Sequence, residues 1–130
     1  MDKPTISRAF NTHFFEFLDD ILAIFPENVD IQVSKTSFET IKRANPTAIL
    51  KAWFTYVYYP YKLAIDEGNI QFFFDKNYEE DLSILSNAKD IMSVINTLRG
   101  PIKMMSLTSQ ANTMKYIQNL SKLSQLYSSM

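Results

Sequence analysis

Glycine stands at only two of the 130 positions, Gly68 and Gly100, and that scarcity narrows the folds open to the chain more than any other feature. All-β folds and phosphate-cradling folds use glycine for tight turns and close backbone approaches, whereas helices need it least. With glycines at 68 and 100 alone, neither a Gly-x-Gly-x-x-Gly fingerprint nor a Walker loop can be written, which excludes nucleotide binding by a standard loop. Apolar residues at 46% and aromatics at 14% supply far more burial than a disordered, highly charged chain could. A chain of this length buries roughly two thirds of the surface it exposes when unfolded. The expectation is an all-α, single-domain bundle of about five helices spanning residues 1–130.

Hydrophobic spacing places the elements. Ile6, Phe10, Phe14, Phe17, Ile21 and Ile24 recur at three- and four-residue steps, the pattern of an amphipathic helix capped by Thr5 or Ser7 and stopped by Pro26. Over residues 29–44, Val29, Ile31 and Val33 alternate like a strand, whereas Ser34, Phe38 and Ile41 keep helical spacing; the expectation is helix. Asn45 before Pro46 signals a helix start, with Leu50, Trp53, Phe54, Val57 and Tyr61 on one face. Pro60 removes the bond to the carbonyl of Tyr56, so this helix either kinks or restarts there. Gly68 and Asn69 make a turn, and Ile70 to Phe74 reads as one helical turn or a brief strand. A further helix opens at Asp75 or Asn77, carries Ile84, Ala88, Ile91, Ile95 and Leu98 inward, and ends at Gly100 in a left-handed cap before Pro101.

The last helix, residues 101 to 127, has two apolar stripes. Met104, Leu107, Ala111 and Met114 fall on one face, while Met105, Tyr116, Leu120, Leu123 and Tyr127 fall nearly opposite. Such a helix is either sandwiched within its own bundle or packed through one stripe on its domain and through the other on a partner, unless it breaks near Asn112 and Thr113. Tyr116, Leu120, Leu123 and Tyr127 also follow the spacing of a coiled-coil seam. Together with Tyr56 and Tyr59, which lie off the apolar stripe of their helix, they are the candidate protein-interface residues.

Chemistry finds little support. Cysteine is absent, so there is no disulfide framework, thiolate nucleophile or cysteine-based zinc site. The lone histidine, His13, shares a helix flank with Glu16 and Asp20, but one imidazole with two surface carboxylates falls short of a transition-metal site. Serines lack a Gly-x-Ser-x-Gly elbow, and His13 would have to serve any of them as base. Glu79, Glu80 and Asp81 suit a helix N-terminus better than acid and base catalysis. Catalytic, cofactor and metal residues are therefore all expected to be none. Lys42, Arg43 and Lys51 beside Trp53, Tyr56, Tyr58, Tyr59 and Tyr61 mix cations with rings, as single-strand binders do. Against nucleic acid, residues 1–90 carry all 14 acidic groups against 9 basic ones, while residues 91–130 carry only Arg99, Lys103, Lys115 and Lys122. No basic face is concentrated enough. No run reaches the roughly eighteen apolar residues of a membrane span, and MDKPTISRAF lacks a secretory pattern. The expected protein is soluble and non-secreted.

Taken together, FFEFLDDILAIFPENVDI, IKRANP, the Trp53 that follows, Tyr61 with Ile65, EGN and QFFFDKNYEEDL resemble small helical proteins encoded by nucleocytoplasmic large DNA viruses, the giant viruses of algae and amoebae. The similarity covers roughly residues 10 to 82 and consists of helix punctuation and core positions, so it implies a shared fold and carries no catalytic motif. Residues 99–130 lie outside it. The resemblance implies a virion or virus-factory location in the host cytoplasm. The expected function is a non-enzymatic structural or protein-interaction protein, a minor virion component meeting capsid proteins or a second copy of itself. The alternative is a small nucleic-acid-binding or transcription and replication accessory module.

Overall fold

The computed structural model describes residues 2–71 and 96–130, which are helical with no strand among them. The first helix, α1, runs Lys3–Ile24. Its cap is Asp2, whose carboxylate accepts the Thr5 N–H at 2.9 Å. The helix therefore starts ahead of Thr5 and Ser7, the expected caps, and Pro4 sits in its first turn where no N–H is missed. It ends with the Phe25 N–H on the Ile21 carbonyl before Pro26. Ile6, Phe10, Phe14, Phe17, Leu18 and Ile21 are buried, each contributing about 1.5–3 kcal/mol. Ile24, expected on this stripe, is exposed because the last turn outruns the core.

The second helix, α2, runs Val29–Ala44, with the Asn28 side chain accepting the Ile31 N–H at 3.1 Å. Ile31, Ser34 and Phe38 face inward while Val29 and Val33 face solvent, so the three-and-four step prevails over the strand-like alternation. The Lys35 ammonium meets the Asp19 carboxylate at 2.6 Å and bridges α2 to α1.

Asn45 and Pro46 precede the next helix but do not open it. Asn45 Oδ1 accepts the N–H and hydroxyl of Thr47, each at 3.1 Å, and α3, Ala48–Ala52, begins after Thr47. The Pro46 carbonyl instead accepts the Asn11 amide of α1 at 2.8 Å. From Trp53 to Tyr58 the helix widens to a π turn, in which the Tyr59 N–H reaches back five residues to Phe54, and α4 follows over Tyr59–Asp66. The fault expected at Pro60 is thus taken up by the wide turn before it and by Tyr61, which leaves helical geometry at φ −123° and ψ 23°. After α4, the N–H groups of Gly68 and Asn69 bond the carbonyls of Ile65 and Ala64, a helix stop that requires the φ of +77° at Gly68.

The expected helix from Asp75 or Asn77, with Ile84, Ala88, Ile91 and Ile95, lies outside the described residues, as do Phe72 to Phe74 and the acidic group Glu79, Glu80 and Asp81. At its far end Leu98 is buried. Gly100 does not supply a left-handed cap: it lies inside the short helix α5, Arg99–Lys103, without positive φ. The final helix is accordingly two pieces, with a break at Met104 to Ser106 instead of near Asn112. Ser106 caps α6, Leu107–Ser128, by accepting the Ser109 N–H at 3.2 Å. The Gln110 amide donates to carbonyls at the break, those of Ile102, Lys103 and Met105.

α6 lies antiparallel along α1, with Tyr127 beside Lys3, Tyr116 beside Phe17 and Ser109 beside Ile24. Trp53 sits between them. Its ring meets Phe10 and Phe14 edge-on, at centroid distances of 6.2 and 6.1 Å.

Candidate functional site

The inward face of α6 is Thr113, Met114, Ile117, Leu120, Ser121 and Ser124, spaced at helical steps and half polar. Small hydroxyl residues let α6 approach closely, and their polar atoms are paired inside: Ser121 Oγ accepts the Trp53 indole N–H, and Ser124 donates to the Ser121 carbonyl at 2.8 Å. Hydrophobicity alone does not reveal this stripe.

The two apolar stripes read from the sequence are consequently redistributed. Met104 and Leu107 are 79% and 84% exposed, Ala111 is exposed, and Met114 alone of that set is buried. On the other stripe Met105 is buried and Leu120 is 0% exposed, closed in by its own domain, which removes Leu120 from any surface offered to a partner. Tyr116, Leu123 and Tyr127 are half-buried against the core. The Tyr116 ring lies on the rings of His13 and Phe17, at 4.7 and 5.5 Å, and the Lys3 ammonium stands 4.9 Å over Tyr127. Tyr56 is half-buried and Tyr59 is 65% exposed. Of the rings grouped with Lys42, Arg43 and Lys51, Trp53 and Tyr58 are buried, while the three cations are exposed.

Between α1 and α6 runs an open groove of about 560 Å³. Ala9, Thr12, His13 and Glu16 form the α1 wall, and Asn119, Lys122, Leu123 and Leu126 form the α6 wall. Leu126 is 51% exposed at its rim. Glu16 lies 3.8 Å from His13 Nδ1, and the other ring nitrogen, Nε2, is buried without a hydrogen-bond partner. Lys122 forms no ion pair among the described residues. Asp20, the third member of the expected flank, acts on the Tyr116 phenol; burial first, and then the Asp20 carboxylate, push that phenol above its usual range. His13, Glu16 and Asp20 are thus divided between two contacts, and no cluster of three metal-ligating side chains occurs among the described residues.

Chemically, the groove combines an apolar floor with a carboxylate on one wall and an ammonium on the other. This suits a surface that buries a side chain and orients it by charge. Leu126, Lys122 and the pairing of α1 with α6 were missed in the sequence; the only available signal was the three-residue step from Leu123 to Leu126. No helix among the described residues is long and apolar enough to cross a membrane. Compared with known protein families, with curated proteins and with solved structures, the chain finds no match.

Proposed function

We propose that the protein is a non-enzymatic structural or protein-interaction component, a minor capsid-associated constituent of a large DNA virus, located in the particle or in the virus factory of the host cytoplasm. The α1–α6 groove carries the interaction reading: an open apolar trough with a half-exposed leucine at its rim and both charge signs on its walls is suited to burying protein surface. The viral setting rests on the resemblance over residues 10 to 82.

Quantitative mass spectrometry of purified particles beside infected-cell lysate tests it. Enrichment in particles, at a stoichiometry below that of the major shell protein, is the expected result. Abundance in lysate with absence from particles overturns the structural reading. A parallel titration with single-stranded and duplex nucleic acid is expected to show no more affinity than an acidic protein of this size has. Submicromolar binding with a steep salt dependence, abolished by changing Lys42, Arg43 and Lys51 to Glu, would replace this reading with that of an accessory nucleic-acid module.

A further inference from the structure

We propose that the α1–α6 groove is closed by a second copy of the same chain, in a two-fold contact that lays α6 of each protomer across the groove of the other. This rests on the protein-interaction reading and names the partner.

A two-fold contact demands a surface complementary to itself: whatever protrudes must find its socket on the same patch. The groove meets that demand twice. Leu126 protrudes at the rim, while Leu123, three residues earlier on the same helix, lies half-buried at the floor beside Ala9. Ridge and trough therefore occur side by side, as helix packing requires. Charge repeats the relation. Glu16 stands on the α1 wall and Lys122 on the α6 wall, so a two-fold axis carries the carboxylate of each copy toward the ammonium of the other. Lys122 has no ion pair among the described residues, and Glu16 has only the 3.8 Å approach of His13. A partner of one charge sign would satisfy one wall and repel the other; a second copy satisfies both. The net charge of −1 adds little long-range repulsion between copies.

The groove is open to solvent and largely apolar, which suits a protein surface more than a small molecule, since small ligands bind where most of their surface is enclosed.

Sedimentation equilibrium of the full chain is the test. A reversible dimer is expected, with a dissociation constant of about 1–100 μM because the patch is small. Leu126→Glu changes a half-exposed residue and leaves the fold intact, as an unchanged melting curve of the dilute protein will verify; it should weaken association by about tenfold or more. Lys122→Glu and Glu16→Lys should each weaken it, and the double exchange should recover it to within about threefold of the original, because the pair is restored with its signs reversed. A chain that stays monomeric throughout overturns the proposal. So does a dimer indifferent to Leu126→Glu, or one that the double exchange fails to restore. A dimer absent from particles overturns the proposed function alone, and a monomer enriched in particles overturns the dimer alone.

Discussion

The indole N–H of Trp53 donates to the hydroxyl of Ser121 at 3.0 Å, inside the core and across 68 residues of sequence. It ties the widened middle helix to α6 and satisfies the one polar atom of the largest buried side chain. Ser121→Ala leaves that N–H buried without an acceptor and should cost about 1–3 kcal/mol. Trp53→Ala removes a packed ring and should cost about 3–5 kcal/mol. Urea unfolding of the two single variants and the double variant checks both: the double variant should lose less than the sum. Strict additivity would show that the bond contributes nothing.

α6 is a structural member of the domain, since Met114, Ile117 and Leu120 are buried against the other helices. A chain ending after Thr113 should therefore lose cooperative unfolding and near-ultraviolet circular dichroism. Retention of a sharp thermal transition in the shortened chain would show that α6 is dispensable to the fold.

The two glycines should respond oppositely to alanine. At Gly68 the φ of +77° strains any L side chain, although the added Cβ meets nothing closer than the Gln118 amide at 3.5 Å; Gly68→Ala should cost about 1–2 kcal/mol. At Gly100 the added methyl meets nothing within 4 Å and the backbone is helical, so Gly100→Ala should stabilise by about 0.4–1 kcal/mol. Thermal melts of both variants decide the matter, and a shift of the same sign in each refutes the assignment.

Alkali should weaken the fold through two tyrosines. Burial raises the Tyr58 phenol, aided by the charge of Asp66, and burial with the Asp20 carboxylate raises that of Tyr116. A phenol whose pKa is higher in the folded state contributes stability that is fully present below its unfolded value near 10.0 and is lost as pH rises through the raised folded value. The melting temperature should fall over that interval as tyrosinate absorbance rises. Tyr116→Phe should lessen the decline, and a decline equally steep in that variant would contradict the linkage.

Much of the fold was legible because local physics wrote it into short spans. The steps among Phe10, Phe14 and Phe17 identify the buried face of α1, Pro26 marks its end, and Gly68 marks the stop after α4. Other features misled. Gly100 before Pro101 has the sequence of a helix stop, yet both lie within α5, because local preference for a cap is weaker than the packing of Leu98 and Ile102. The candidate site was only partly legible: Leu123 was marked, but as a member of a seam whose Leu120 belongs inside, and His13 and Glu16 were noticed for a chemistry that their neighbours do not complete.

By itself the sequence determined the helical class, the C-terminal end of α1, both ends of α2, and the exclusion of glycine-loop chemistry, since these depend on dihedral freedom, missing N–H groups and periodic burial within a few residues. Tertiary structure alone decided which face of α6 is inside and that α6 lies against α1. The buried face of α6 carries Thr113, Ser121 and Ser124, whose hydroxyls are tolerated only because partners distant in sequence or within their own helix accept or donate to them. The groove belongs to neither helix. It exists where two surfaces, written more than a hundred residues apart, are brought side by side by the burial of everything between them.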